Sequence, residues 1–160
     1  MAVPQPDSSN DRYGEYQAIS SNLRDLAFTF AGLSTALASR LNLNRNDLRA
    51  LDILIENRGM TAGHLASQLK LTTGAITGVI DRLEQAGHAV RMHDDEDRRK
   101  VVVRATRKAI ESRDEALAAM RVDLGQILNG YSEDDLEVIQ GFLDKASHLM
   151  AHHTDQLSST

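Results

Sequence analysis

The sequence predicts a mainly α-helical fold with one small β-hairpin, and three observations carry that prediction. The chain has 160 residues but only 2 Pro and 10 Gly, so long helices are seldom interrupted. Apolar residues recur at helical spacing through most of the chain. Two short segments after residue 88, one of them rich in valine, flank a charged loop and are typical of a hairpin.

Composition limits the compartment and the chemistry. The chain has no Cys, which excludes disulfides, Cys-based zinc sites and thiol switches and suits a reducing cytoplasm. No apolar run approaches the roughly 18 residues of a membrane span, so we expect no membrane contact. Residues 1–10 are polar and lack the features of a signal peptide, so we expect a disordered lead-in to a cytoplasmic protein.

A heptad seam runs along the first long segment, which we predict to be a helix from about Asp11 to Arg40. Its apolar residues alternate at steps of 3 and 4, and they are Tyr16, Ile19, Leu23, Leu26, Phe30, Leu33 and Leu37. The alternative is an ordinary amphipathic helix in its own core. Strict alternation favours packing along another helix.

Boundary residues define the next two helices. Asn44 offers an N-cap side chain with Asp47 as its capping-box partner, and Gly59 stands where a C-terminal cap would end that helix. Thr61 can cap a third, short helix.

The segment from Thr61 to Ile80 fits a helix-turn-helix. Ala66 supplies the small residue that is needed where the two helices cross closely, although Lys70 replaces the glycine usual in the turn. Thr72 or Thr73 can cap the fourth helix. The apolar residues of that helix share one side, and they are Ile76, Val79, Ile80 and Leu83.

The hairpin and two final helices complete the chain. The fourth helix should end near Gly87, and the predicted strands are residues 89–92 and 100–104. Thr106 and Ser132 can cap a fifth and a sixth helix.

This element order predicts a winged helix-turn-helix on a helical dimerisation base. The first and last helices carry more apolar surface than a small central unit could cover, so we expect a homodimer. The expected parts are a lead-in (1–10), a first dimerisation helix (11–43), the winged helix-turn-helix domain (44–106), C-terminal dimerisation helices (107–153) and a flexible tail (154–160). The expected interface residues are Ile19, Leu23, Leu26, Leu117, Leu136 and Leu143.

The charge distribution is compatible with DNA despite a net charge of -5. Six basic residues and no acidic one occur between Arg98 and Lys108. A basic hairpin that follows a helix-turn-helix can grip DNA a second time, with the recognition helix in the major groove and the wing on the backbone or minor groove.

The stretch LTTGAITGVIDRLEQAGHAVR, followed by DDEDRRKVVVRAT, closely resembles the multiple-antibiotic-resistance regulator (MarR) family. The resemblance extends from about Ile19 to Met150 and includes the helix order. It implies a homodimer that binds pseudo-palindromic operators in double-stranded DNA, usually as a repressor. In many members a small, often aromatic anion binds between the two parts and releases the DNA.

The resemblance also assigns residues. Arg99 matches the wing-tip arginine that enters the minor groove, and Asp97 matches the carboxylate that orients it. The residues expected to contact DNA are Thr72, Thr73, Gly74, Thr77, Gly78, Arg82, Asp97, Arg98, Arg99 and Lys100. Gly78 departs from the family, in which many members have Arg there, so a major-groove guanine reader is missing. Two further departures are Asp95 for Pro and Ala109 for Gly.

Several alternatives stay open at this point. The acidic net charge and a recognition helix with few reading side chains would also fit a winged-helix module that binds a protein partner. Arg82 could pair with Asp81 or Asp94 instead of phosphate, and Asp97 with Arg99 could be an ordinary surface ion pair.

We expect no metal site, no cofactor and no catalytic site. His148 and His152 have a spacing that can hold zinc, but no full ligand set accompanies them. No glycine-rich phosphate loop and no hydrolase or metalloprotease motif is present, which argues against an enzyme. A small-molecule effector is possible for the family, but no spacing rule selects its residues.

Overall fold

The computed structural model describes residues 11–94, 97 and 99–158, without the side chains of Asp11 and Ser158. Its elements in order are α1 (Asp11–Arg40), α2 (Arg45–Glu56), α3 (Ala62–Leu69), α4 (Thr73–Gln85), β1 (Ala89–His93), β2 (Val101–Ala105), α5 (Arg107–Leu128) and α6 (Glu133–Ser158). The prediction of a mainly helical fold with a two-stranded wing is confirmed. Within the described ranges, no helix is both long and apolar enough to cross a membrane.

The chain forms two compact units that divide between Ala116 and Leu117. The first holds α1 to β2 and the beginning of α5, and the second holds the rest of α5 and α6. The predicted division into a central domain with flanking dimerisation helices stays a prediction. The lead-in expected at residues 1–10 lies outside the described residues.

Side-chain caps start the helices as expected. Asp47 N donates to Asn44 Oδ1 over 2.9 Å, and Asn44 Nδ2 donates in return to Asp47 Oδ2 over 2.7 Å, which completes a capping box. The hydroxyl of Thr72 accepts from Ala75 N, so Thr72 and not Thr73 caps α4. The other predicted caps also form, at Thr61, Thr106 and Ser132.

The turn between α3 and α4 is tight although it lacks glycine. Lys70 adopts the left-handed conformation with φ 54° and ψ 41°, which a glycine would take without strain. Leu71 N donates to Ala66 O over 2.9 Å, so the backbone closes the turn in the way typical of helix C-termini. Lysine there costs about 1–2 kcal/mol of conformational energy, which the packing of the two helices offsets.

The core of the first unit lies where α2, α3, α4 and the hairpin meet. Its largest fully buried side chains are Leu51, Leu54, Leu65, Ile76, Ile80, Leu83 and Val103. Every residue of the predicted apolar face of α4 is buried. Burial of that side leaves the opposite side of α4 facing outward.

The hairpin is antiparallel and packs on this core. Its register runs from Ala89 opposite Ala105 to His93 opposite Val101. The strand β1 extends one residue beyond the prediction, to His93, and β2 is shifted by one residue at both ends, to Val101–Ala105. Met60 pairs with Val103 and so connects the hairpin to the segment before α3.

The second unit exposes much apolar surface. Large exposed side chains occur along both of its helices, among them Met120, Leu124, Ile127, Phe142, Leu143 and Leu149. α6 continues to Ser158, so residues 154–158 are helical where a flexible tail was predicted. Of the predicted interface residues, Ile19, Leu26 and Leu143 are exposed in the single chain, and Leu23, Leu117 and Leu136 are half-buried. Their role in a dimer stays a prediction.

Candidate nucleic-acid interface

The exposed side of α4 carries short polar side chains and glycines. Thr72, Thr73, Gly74 and Thr77 are exposed, and Gly78 is half-buried. The Thr77 hydroxyl donates to Thr73 O over 2.9 Å, so its hydrogen is used within the helix and only its oxygen and methyl group face outward. The hydroxyl of Thr73 has no protein partner among the described residues, so it is the better donor to a base edge.

The two glycines of α4, Gly74 and Gly78, leave the helix backbone uncovered by side chains at two places. A Cβ added at Gly74 would meet no atom within 4 Å, and one at Gly78 would meet only Arg82 Nη1 at 3.5 Å. Internal packing therefore does not require glycine at either position. A close approach of the helix backbone to another surface would explain them.

Arg82 lies one turn after Gly78 and is bound to α2. Its Nε donates to Asp47 Oδ2 over 2.9 Å and its Nη2 to Asp47 Oδ1 over 2.6 Å, which is the paired geometry of a strong charge-assisted contact. The hydrogen bond to Asp47 raises the pKa of Arg82, although its own desolvation acts in the opposite direction. The Asp47 side chain is only 3% exposed, so this carboxylate depends on Arg82 and on Asn44 for its partners.

Neither alternative partner foreseen for Arg82 is the one observed. Asp81 binds Arg91 instead, and Arg82 reaches a residue 35 positions earlier. Half of the Arg82 side chain remains exposed and Nη1 has no partner among the described residues. Contact of this group with phosphate stays a prediction.

Arg91 binds β1 to α4. Its Nη2 donates to Asp81 Oδ1 over 2.8 Å, its Nη1 pairs with Glu84, and its backbone N–H donates to Glu84 Oε1 over 2.9 Å. The hydrogen bond to Asp81 is the main cause that raises the pKa of Arg91. Together with the buried Leu83, the four residues 81–84 hold the recognition helix to α2 on one side and to the wing on the other.

The wing tip is built on Asp97. Asp97 Oδ1 accepts from Arg99 N over 3.1 Å, Asp97 O accepts from Lys100 N over 2.8 Å, and Asp97 Oδ2 lies 3.9 Å from Lys100 Nζ. The carboxylate therefore shapes the backbone beneath Arg99. The Arg99 guanidinium has no carboxylate partner among the described residues, and its orientation by Asp97 stays a prediction. Arg98 lies outside the described residues.

Asp47 and Arg91 are the positioning residues that the sequence did not assign to this site. The sequence pattern indicates Asp47 only as a helix-capping residue and Arg91 only as part of a strand. For Asp47 the sequence offers one signal of this role, because the capping pattern places this charged residue at the start of a helix with a buried face. His148 and His152 lie apart from this surface in sequence, and within the described part of the chain no group of three potential ligands could hold a metal.

A short helix pair with an outward polar recognition helix, followed by a basic hairpin, defines a winged helix-turn-helix protein of the DNA-binding class. Comparison with known proteins identifies the family. A sequence model of the MarR family matches residues 43–101. The HTH-type transcriptional regulator YcgE of Bacillus subtilis (strain 168) is 38% identical over 125 residues, which cover 76% of this chain and 79% of YcgE. The chain belongs to the MarR family of DNA-binding transcriptional regulators.

Solved structures show the same fold at low sequence identity. A MarR family protein from Bacillus stearothermophilus has a TM-score of 0.64 at 22% identity, covering 90% of this chain and 99% of that one. A point mutant of S. aureus MepR bound to an oligodeoxyribonucleotide has a TM-score of 0.55 at 20% identity, covering 82% and 97%. CouR from Rhodococcus jostii RHA1 bound to p-coumaroyl-CoA has a TM-score of 0.57 at 23% identity, covering 80% and 90%.

Proposed function

We propose that this chain acts in the cytoplasm as a homodimeric repressor that binds a pseudo-palindromic operator and leaves it when a small organic effector binds. The observation that carries the proposal is that ion pairs connect the two elements suited to DNA contact, which are the exposed side of α4 and the basic wing. Asp81 and Glu84 bind α4 to Arg91 of the wing, and Arg82 binds α4 to Asp47 of α2. MepR with its oligodeoxyribonucleotide and CouR with its p-coumaroyl-CoA support the two kinds of ligand.

The proposed division of labour follows from the side chains available. Thr73 and Thr77 can make single contacts with base edges or thymine methyl groups, but neither can make the paired contact of an arginine with guanine. Arg99 is exposed on the wing and suits the negative potential of a narrow minor groove. Lys100 and Arg98, the neighbours of Arg99 in the sequence, are proposed to contact phosphate groups. The wing then contributes much of the affinity, and the role needs neither catalysis nor a cofactor.

Binding to DNA at varied salt tests this function. An operator is first selected from a pool of random duplexes, and affinity is then measured for the operator and for a scrambled duplex. Lys100→Ala should weaken binding to both duplexes alike and lower the slope of log affinity against log salt by about 1. Arg99→Ala should cost more than Thr77→Ala and should reduce the preference for A·T pairs at the operator flanks.

Lys145→Ala is the matched control, because Lys145 is an exposed cation on α6 outside the proposed interface. Its affinity and salt slope should equal those of the wild type. Absence of binding to any duplex at about 50 mM salt would contradict the proposed function. Wild-type binding by Arg99→Ala together with lost binding by Thr77→Ala would place specificity in the helix instead of the wing.

A further inference from the structure

Ion pairs bind α2 to two other helices of the first unit. Asp47 of α2 accepts two hydrogen bonds from Arg82 of α4. Asp52 of α2 accepts one from Arg113 of α5, whose Nε lies 2.6 Å from Asp52 Oδ1 across 61 sequence positions. The two aspartates are five positions apart, so they point in directions roughly 140° apart around the helix. α2 therefore connects the recognition helix on one side to α5 on another.

The ion pair of Asp52 with Arg113 is largely shielded from water. The side chain of Asp52 is 21% exposed and that of Arg113 is 22% exposed. By contrast, the ion pair between Arg107 and Glu111 joins two residues of α5 itself, and both side chains are mostly exposed. Water and salt screen a shielded pair less than a surface pair. The Asp52–Arg113 pair is therefore suited to hold one helix against another.

This pair is the second place at which α5 is attached to the first unit. The first attachment is at the cap residue Thr106, whose Oγ1 donates to Gly87 O over 2.8 Å and whose N donates to His88 O over 2.9 Å. Among the residues of α5, only Ala109 is buried in the single chain. Arg113 lies about 10 Å along the helix from Thr106. One attachment fixes where a helix begins, and a second one farther along fixes its direction.

The direction of α5 matters in a dimer because the same helix continues into the second unit. The first unit ends at Ala116, whereas α5 runs on to Leu128. Leu124 and Ile127 are exposed apolar residues of this later part, which we expect a second copy of the chain to cover. A dimer on DNA must place its two recognition helices one helical turn, about 34 Å, or a multiple of it apart. The angle between α2 and α5 therefore affects that separation.

We propose that Asp52 and Arg113 are positioning residues that determine which spacing of operator half-sites the dimer accepts. Their ion pair fixes the angle at which α5 leaves α2. The ion pair of Asp47 with Arg82 carries the position of α2 on to the recognition helix. Neither Asp52 nor Arg113 needs to contact DNA for this role. The inference rests on the proposed function, because half-site spacing has a meaning only for a dimer on a two-part operator.

Duplexes that differ only in half-site spacing test this role. The operator selected by the wild type is compared with duplexes in which base pairs are inserted or removed between the half-sites, and with a duplex that carries a single half-site. Asp52→Asn and Arg113→Gln should each reduce the ratio of affinities for the selected and the altered spacing by about threefold or more, because the coupling through the pair is lost. Affinity for the single half-site should not change, since the residues proposed to contact DNA are intact.

Glu111→Gln is the matched control for Asp52→Asn. It also removes one negative charge from an ion pair of α5, but that pair is exposed and lies within the helix. Its preference among the spacings should equal that of the wild type. The double variant Asp52→Asn/Arg113→Gln should alter the preference no more than the larger single change does, because both changes act through one pair. Asp52→Asn keeps the size of the side chain and one acceptor oxygen, so it tests the role even if Arg113→Gln is poorly folded.

A wild-type preference among the spacings in Asp52→Asn would overturn the inference, as would additive changes in the double variant. Equal losses of affinity for the single half-site and for the full operator would also contradict it, since they would show damage within one DNA-binding unit. Both outcomes leave operator binding by the wild type intact, and with it the proposed function. Failure of the wild type to bind any symmetric operator is a different result, which removes the proposed function and this inference together.

Discussion

At the scale of single residues, one charged pair positions the recognition helix. Asp47 belongs to the first turn of α2, where it completes the capping box with Asn44 and also binds both Nε and Nη2 of Arg82. The carboxylate is buried and the arginine is half exposed, so loss of the arginine leaves a buried charge short of partners. We therefore expect this pair to contribute more to the free energy of unfolding than an ordinary surface ion pair does.

Removing either partner should destabilise the protein and loosen α4. We expect Arg82→Ala to lower the free energy of unfolding by about 1–3 kcal/mol, since the hydrogen bonds to a charged group are lost and Asp47 is left under-satisfied. The double variant Asp47→Ala/Arg82→Ala should cost less than the sum of the two single changes. Denaturant titrations of the four proteins measure this coupling, and strictly additive costs would show that the pair contributes nothing of its own.

At the scale of an element, α4 has one side of buried apolar residues and an outer side that includes two glycines. Ile76, Val79, Ile80 and Leu83 are buried and fix its position, while Gly74 and Gly78 leave its outer side without side chains at two places. Glycine inside a helix reduces stability, and no internal contact requires it here. Close approach of this backbone to DNA is the physical reason that fits.

Gly74→Ala and Gly78→Ala should therefore have opposite effects on stability and on binding. Each should raise the free energy of unfolding by about 0.5–1 kcal/mol, because alanine favours helix, and each should weaken operator binding by adding a methyl group at the groove. Thermal or denaturant unfolding and operator titration provide the two measurements. Gly141→Ala is the control, since Gly141 also lies inside a helix with no atom within 4 Å of an added Cβ, and it is not among the residues proposed to contact DNA. Tighter operator binding by either α4 variant would refute this reading of the glycines.

At the scale of the whole molecule, the apolar seam of α1 is divided between two roles. Leu37 at its end is 9% exposed and joins the core of its own chain, whereas Leu26 is 60% and Leu33 is 36% exposed. Exposed large apolar side chains also line the helices of the second unit. A second copy of the chain is the partner that we expect to cover these surfaces.

Replacing Leu26 and Leu33 by Glu should therefore disrupt assembly. Both positions are partly solvent-exposed in the single chain, so the cost comes mainly from burying charge in the dimer interface. Sedimentation at micromolar concentration should show a dimer for the wild type and a smaller species for the variant. Ser21→Glu is the control, because Ser21 is on the opposite side of α1 by helical spacing. Sedimentation of the wild type as a monomer at this concentration would contradict the dimer prediction.

Local patterns in the sequence determined most of the architecture. Helix caps such as Asn44, Thr61 and Ser132 depend on contacts within three or four residues, and the periodic burial of α4 depends on helical geometry alone. The helix-turn-helix, the wing and the family could therefore be inferred from residues close together in the chain. The end of α6 could not, because nothing in residues 154–158, which are polar except for Leu157, distinguishes a continued helix from a tail.

Only the tertiary structure decided which side chains meet across elements. Arg82 binds Asp47 across 35 positions, Arg91 binds α4 from the wing, and His88 meets Leu41 across 47 positions. Such pairs depend on how whole helices cross, which is set by the sum of many packing contacts and leaves no periodic trace in the sequence. For the same reason only the tertiary structure showed that the Asp97 carboxylate accepts a hydrogen bond from the backbone N–H of Arg99.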